Sequence, residues 1–377
     1  MENFSKLRGM RDILPEEIDL WKKTEGIFIE VSELFGFKEI RTPILENKYL
    51  FERGIGSTTD IVMKEMYQFK DRKGRDIALR PEGTASVVRA YIENKIYNSK
   101  KIARFYYYGQ MFRYDRPQKG RYRQFYQFGV EIFGGKQPYF DLETIQILDI
   151  SFKKLGIKNF IFLINSLGCK NCKAKYIEEI KKYLLDRTNF FCEDCKIRIE
   201  KNPLRVFDCK NPSCKKVLME VPSMIEFLCK DCRRHFDLLV EILSMLKINY
   251  KITPSLVRGL DYYTKTVFEF VSKIDGLTVL AGGRYDGLVE ELGGVATPAV
   301  GFATGEERLI SVLEANNPSL DLNKKMDVFI AYIGEEANIY STKLVKKLRE
   351  NGIYAEKDIM ERSLKAQFKY ADKKKAK

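Results

Sequence analysis

The sequence predicts an α+β fold with a Cys-rich insertion and a separate α/β segment at its end. Three observations carry this. Residues 104–135, RFYYYGQMFRYDRPQKGRYRQFYQFGVEIFGG, read as strand, loop, strand. All eight cysteines fall between positions 169 and 232. From Asp327 onward the pattern becomes strand, helix, strand, helix.

Bulk properties set the outer limits. A chain of 377 residues has room for two or three domains. With 45% apolar and 31% charged residues it is globular. No apolar run reaches the roughly 18 residues of a membrane helix. The N-terminus lacks the apolar core of a signal peptide. These features predict a cytoplasmic protein with no membrane partner, whose thiols stay reduced. A net charge of +14 and a pI near 9.2 suit a partner rich in phosphate, or simply a basic surface.

After a polar N-terminal segment, Lys6 to Pro15, the stretch Pro15–Phe35 predicts an amphipathic helix. Pro15 suits its first turn, and Ile18, Trp21, Phe28, Val31 and Phe35 share a face. Gly36 stops it. Phe37 to Leu45 reads as a strand, and Pro43 within it favours an edge or interface position. Met66–Lys70 and Ile77–Arg80 flank DRKG as a hairpin. Then come Glu82, Gly83 and Thr84 at the mouth of a helix through Val87, Val88, Tyr91 and Ile92. The carboxylate and hydroxyl there suit a ligand ammonium, or simply cap the helix.

In the central hairpin, alternation puts Gln127, Gly129 and Glu131 on one face and Tyr126, Phe128, Val130 and Ile132 on the other. The polar face makes a pocket floor in which Gly129 leaves room. Above it hangs a loop carrying Arg116, Lys119 and Arg121 against Asp115, with Arg113 at its start and Arg123 at its end. Such a hairpin holds a polar small molecule together with an anion such as a triphosphate. The competing reading is an edge hairpin with a solvated basic turn. Asp141–Leu155 reads as a helix and Phe160–Ile164 as a strand.

The insertion pairs its cysteines as Cys169/Cys172, Cys192/Cys195, Cys209/Cys214 and Cys229/Cys232. Both spacings suit tetrahedral zinc. Four pairs make two sites in three possible groupings, and reduced thiols or a redox disulfide are the alternatives. His235, the only histidine, reads as a surface residue. Tyr176–Leu185 reads as helical.

Ser255–Phe270 returns to strand composition, with Arg258 and Gly259 at its head; an arginine fixed there can fork onto a phosphate. Ala281-Gly282-Gly283-Arg284-Tyr285-Asp286 brings backbone close to a ligand or forms a turn. In Pro298–Leu309, Gly301 and Gly305 permit close packing, and Arg308 either projects into a site or pairs with Glu306 or Glu307. Asn316–Lys325 reads as a linker. Asp327–Ile333 and Tyr354–Lys357 read as strands, with helices over Glu335–Glu350 and from Glu361 onward. A segment of about fifty residues is too small to bury a good core alone.

These stretches carry a resemblance. FRYDRPQKGRYRQF resembles the motif 2 loop of class II aminoacyl-tRNA synthetases. RPQKGRYRQF, with Gln127 and Glu131 after it, resembles the histidyl-tRNA synthetase family. The Pro15 helix with Pro43 resembles motif 1, and PAVGFATGEERL resembles motif 3. RPEGTA, RGLDYY and AGGRYD resemble histidine-site segments. The resemblance implies a class II antiparallel sheet flanked by helices, with a catalytic core over 1–168 and 246–322. It also implies an insertion domain over 169–245, lying above the acceptor end of tRNA, and a partial anticodon-binding domain over 326–377. It implies activation of L-histidine by ATP with Mg²⁺, transfer to tRNA(His), and a homodimer built on motif 1.

Among residues, Arg113 and Arg258 would hold the α-phosphate, Arg258 replacing a metal ion used elsewhere in class II. Arg121 and Arg308 would hold the distal phosphates. Glu82, Gly83, Thr84 and Gln127 would surround the ammonium group, and Glu131, Tyr262 and Tyr263 would enclose and read the imidazole. Relatives that keep the insertion without cysteines imply that zinc, if bound, is structural. Two further readings stand beside this one. The first is a synthetase-like regulatory subunit of ATP phosphoribosyltransferase. The second is a zinc-stabilised nucleic-acid-binding module.

Overall fold

The computed structural model describes residues 4–57, 59–118, 120–274, 276–316 and 326–376. Lys119 of the basic loop, and residues 317–325 of the expected linker, lie outside these. The chain divides into two compact units, Met1–Ser319 and Leu320–Lys377.

The first unit is built on an eight-stranded sheet. Its spatial order is Lys38–Glu39, Ala103–Phe112, Gln124–Phe133, Ala299–Gly305, Thr278–Arg284, Thr264–Ser272, Phe160–Ser166 and Tyr250–Ile252. The six central strands pair antiparallel, and each edge strand joins parallel to its neighbour. Pro43, with no N–H to give a ladder, falls where the expected 37–45 strand breaks. Lys38–Glu39 stays on the large sheet's edge. Leu45–Asn47 joins a small sheet with Gln68–Lys70 and Asp76–Leu79.

One face of the large sheet carries the main core. The helix Pro15–Leu34 starts with its proline in the first turn and buries Trp21, Phe28 and Val31. It packs with the helices Pro138–Lys154 and Glu306–Asn316 over Phe128, Val130 and Ile132. Aromatic rings tie this layer together: Phe28 lies 5.1 Å from Phe128, and Phe152 5.1 Å from Phe270 between ring centroids. The alternation expected in Gln124–Phe133 therefore holds, with its aromatic and aliphatic set in the core. The opposite face is left for the helix Thr84–Glu93 and for a pocket.

Behind the pocket lies a fully buried ion pair. Arg284 reaches Asp141 with two nitrogens, and also donates to the carbonyls of Gly135 at 2.7 Å and Gln137 at 3.1 Å. The AGGRYD arginine thus locks the sheet to the start of the helix Pro138–Lys154. His235 is buried rather than exposed, correcting the sequence reading. Its Nε2 lies 3.4 Å from both Asp141 Oδ1 and Thr266 Oγ1. Its helix, Lys230–Met245, is amphipathic and packs back on Pro138–Lys154, which turns position 235 inward.

Lys230–Met245 also serves as the crossover between the parallel strands Phe160–Ser166 and Tyr250–Ile252, so the insertion leaves and rejoins the sheet at neighbouring positions. Its cysteines form two nested sets. Cys169, Cys172, Cys229 and Cys232 stand at the neck, and Cys192, Cys195, Cys209 and Cys214 stand further out. Of the three groupings open in the sequence, the fold selects this one. The expected helix at 176–185 is longer, Lys170–Leu185.

The strand composition from Ser255 does not become a strand until Thr264. Residues 253–263 instead cross the pocket as an irregular segment, in which the Asp261 N–H donates to the Ile55 carbonyl at 3.1 Å rather than to a neighbouring strand. In the second unit Val328–Ile330 and Ala355–Lys357 pair in parallel around the helix Glu335–Glu350, and the helix Leu364–Lys373 follows. That unit buries Val345, Ala355 and Gln367 and leaves Ile333, Ile359 and Phe368 exposed.

Candidate active site

The pocket gathers Glu82, Thr84, Arg113, Arg121, Gln127, Glu131, Arg258, Tyr262, Tyr263 and Arg308. These come from segments scattered over more than half of the chain. Gly83 stands just behind the wall, where its N–H donates to Gln127 Oε1 at 3.0 Å.

At one end lie the carboxylates. Glu82 accepts the N–H groups of Thr84 at 2.8 Å and Ala85 at 2.7 Å, at the start of the helix Thr84–Glu93. It therefore caps the helix, the second reading of RPEGTA, while it also lines the pocket. Burial raises its pKa, against the pull of those N–H groups and of Arg113. Glu131 is buried and accepts a hydrogen bond from the Tyr285 hydroxyl, while its other oxygen has no partner. Burial pushes its carboxyl up to about 8, even though Tyr285 and Thr84 draw it down.

The floor differs from expectation in one respect. Gly129 does not open the pocket, because a Cβ there would overlap the Tyr107 ring. Tyr107 fills that space and turns its hydroxyl toward Gln127 Oε1 at 3.4 Å. Room comes from the neighbouring strands, where Ala281, Gly301, Ala303 and Gly305 line the pocket. Gly301 lies opposite Glu131 in the ladder, and a Cβ on it would strike the Glu131 carboxylate.

At the other end lie the arginines. Arg113 donates to the Pro81 carbonyl at 2.8 Å and sits over the Phe125 ring, 5.4 Å from its centroid. Arg308 donates to the carbonyls of Thr278 at 2.7 Å and Gly120 at 3.3 Å. It does not pair with its helix neighbours; Glu307 instead accepts the Tyr126 N–H at 3.0 Å. Burial, with Arg121 and Arg113 nearby, lowers the Arg308 pKa. Arg121 pairs with Asp115. Arg258 pairs with Glu269, whose second oxygen accepts from the Thr278 hydroxyl at 2.9 Å, and Arg258 Nε has no partner. Arg123 is structural: it lies over the Tyr114 ring at 3.6 Å, and its own N–H donates to the Gly9 carbonyl.

Sequence reasoning missed Tyr107, Glu269, Thr278 and Tyr285 as site residues. Tyr285 stood in view inside AGGRYD, but its partner Glu131 is more than a hundred residues away. Chemically, the pocket offers carboxylates for an ammonium and a ring nitrogen, and guanidinium groups for a polyanion.

The family model "Histidyl-tRNA synthetase" matches residues 9–169 and 215–309, and "Anticodon binding domain" matches residues 327–377. The histidine–tRNA ligase of Acetivibrio thermocellus is 51% identical over 368 residues, 97% of this chain and 88% of that protein. The crystal structure of apo S. aureus histidyl-tRNA synthetase superposes with a TM-score of 0.83 at 38% identity, covering 100% of this chain and 90% of that one. An ATP phosphoribosyltransferase regulatory subunit/histidyl-tRNA synthetase from Bacillus halodurans superposes with a TM-score of 0.72 over 98% and 97% of the two chains. At 23% identity that likeness is one of fold alone.

Proposed function

Because the chain belongs to the histidyl-tRNA synthetase family and is a histidine–tRNA ligase, an ATP-dependent enzyme, we propose that the pocket on its sheet activates histidine. The α-carboxylate oxygen of histidine attacks the α-phosphorus of ATP, and the bond to the bridging oxygen of pyrophosphate breaks. A terminal hydroxyl of tRNA(His) then attacks the carbonyl carbon of the adenylate, and AMP leaves. The regulatory-subunit reading is the less supported one.

One observation supports the phosphate role of two of the arginines. Arg113 and Arg308 direct hydrogen bonds to main-chain carbonyls, so their charge is not spent on a carboxylate. In this reading Arg113 and Arg258 flank the α-phosphate, and Arg121 and Arg308 take the distal phosphates. Fixed donors at the point where charge develops are the largest source of stabilisation for such a transfer. Mg²⁺ would neutralise the distal phosphates. Glu82, Thr84 and Gln127 surround the ammonium group, with the Gly83 backbone behind them. Glu131, Tyr262 and Tyr263 enclose the imidazole, and polar readers of this kind reject apolar analogues strongly.

The pH dependence of histidine binding tests this. With Glu131 at about 8, the empty pocket holds a proton there at neutral pH. Free histidine, with an imidazole near 6.5, arrives uncharged on its ring. One proton shared between ring and carboxylate then needs neither uptake nor release. Affinity measured by calorimetry should peak between about 6.5 and 8. Outside that window it should fall toward about tenfold per pH unit. On the alkaline side Glu131 has lost the shared proton; on the acid side histidine carries one too many. Affinity that stays flat from about pH 6 to 9 would remove Glu131 from this role.

We also assign the two cysteine sets to structural zinc. Four thiolates at about 2.3 Å from a tetrahedral zinc lie about 3.8 Å apart. Cys169 and Cys172 Sγ are 3.5 Å apart, and Cys192 and Cys209 Sγ 3.8 Å. Main-chain N–H groups of Cys229 and Cys192 already donate to Cys172 and Cys214 sulfurs at 3.1 and 3.3 Å. Native mass spectrometry should find two zinc ions per chain, and one after Cys209→Ala; protein that is folded and metal-free would refute the assignment.

Other partners follow the family. No helix among the described residues is long and apolar enough to cross a membrane, in keeping with a cytoplasmic enzyme. Exposed Leu34, Ile44 and Leu45 beside the motif 1 edge fit a homodimer.

A further inference from the structure

We propose that Arg205 is a positioning residue for histidine activation: from the insertion, it holds the segment that presents Arg258. The inference rests on the phosphate role given to Arg258 above.

The segment 253–263 has little structure of its own. Its carbonyls and side chains are held from outside, in part by three residues of the insertion that make four hydrogen bonds. Arg205 Nη1 donates to the Arg258 carbonyl at 3.3 Å, and its Nη2 to Asp261 Oδ1 at 2.7 Å. Asn202 Nδ2 donates to the same Asp261 oxygen at 3.2 Å. Lys173 Nζ donates to the Asp261 carbonyl at 3.1 Å. From the core side, Asp261 packs on Gly56, where a Cβ would strike its carboxylate.

Arg205 is well placed for this. Its side chain is 12% exposed, and it sits in the turn Pro203–Asp208 between Cys195 and Cys209 of the outer set. One guanidinium bridging a carbonyl and a carboxylate fixes both the direction of the Arg258 peptide and its distance from Asp261. The planar fork makes both bonds at once, which a lysine ammonium matches poorly. Fixing that peptide fixes where the Arg258 side chain departs toward Glu269 and the pocket. A displacement of about 1 Å at a charge-stabilising group is enough to cost about a hundredfold in rate.

The test is histidine-dependent ATP–pyrophosphate exchange on the full chain. Arg205→Ala should lower kcat by about tenfold to a hundredfold, with KM for histidine within about twofold of wild type. Arg205→Lys should recover part of the loss, since it keeps the charge beside Asp261. In an Arg258→Lys background, adding Arg205→Ala should cost less than about threefold, because the effect passes through Arg258. A purely structural role predicts the same factor in both backgrounds, and that result overturns the proposal, as does an unchanged kcat in Arg205→Ala. If Arg258→Lys alone runs at the wild-type rate, the phosphate role of Arg258 fails instead. Should Arg205→Ala not fold, Asp261→Asn takes its place: it must lose kcat at constant KM for the proposal to stand.

Discussion

Arg258→Ala should reduce histidyl-adenylate formation by about a hundredfold to a thousandfold, the loss expected on removing one fixed donor to developing charge. Histidine affinity should change little, because the carboxylate end of the pocket does not depend on Arg258. The structure makes the expectation specific. Arg258 leans on Glu269, itself tethered by the Thr278 hydroxyl, and its Nε is buried without a partner. Such a guanidinium is aimed but under-satisfied. Its removal also takes from Glu269 its ion-pair partner and leaves it the Thr278 hydroxyl and the field of Arg308, so a less compensated carboxylate adds to the lost attraction. Single-turnover formation of labelled adenylate reads the effect directly, and a rate within a few-fold of wild type would refute the role.

The second large effect concerns stability. Asp141→Asn removes the main counter-charge of an arginine that is fully buried and leaves it Asp286, whose Oδ1 accepts from Arg284 Nη1 at 3.1 Å; breaking a buried pair costs about 3–5 kcal/mol, and the remaining carboxylate sets this one toward the lower end. Trp21, the only tryptophan, lies buried in the same core. Its fluorescence in urea therefore follows this unit without the other. The midpoint should fall markedly in Asp141→Asn, and recover part of the loss when Arg284→Gln is added. Equal losses in single and double variants would mean that the pair is not the source. The pH dependence follows from the same contact. Burial opposes it, but Arg284 and His235 hold the Asp141 carboxyl well below the usual range. A depressed carboxylate contributes fully above its unfolded value of about 3.9, and the contribution is lost only as pH falls below that.

Part of this architecture was legible in the sequence and part was not. Alternation in Gln124–Phe133 was legible because a strand's period is local; it placed Gln127 and Glu131 on the pocket side and Phe128 and Val130 in the core. What fills a face is not local. The space at Gly129 belongs to Tyr107 on the next strand, and the room in the floor is made by Ala281, Gly301, Ala303 and Gly305, set by a register that spacing along one strand does not contain. The burial of His235 depends in the same way on a helix that packs against another segment. The cysteine spacing allowed two sets of four thiols in three groupings and left the choice to the crossover between parallel strands. Arg205 gave no signal, since one arginine among the many cations of a lysine-rich insertion looks like any other surface charge.

The nesting of the cysteine sets has a consequence for how such a lobe can change over time. The backbone leaves at Cys172 and returns at Cys229 within one hydrogen bond, since the Cys229 N–H reaches the Cys172 sulfur at 3.1 Å. What lies between is a detour whose two ends meet. Lengthening a closed detour is thermodynamically cheap, because closure entropy grows only with the logarithm of its length. The neck can therefore act as a socket, into which segments of different size and chemistry are exchanged without shifting a strand of the sheet. Only those that still deliver a cation to the Arg258 segment would keep the catalytic machinery in tune.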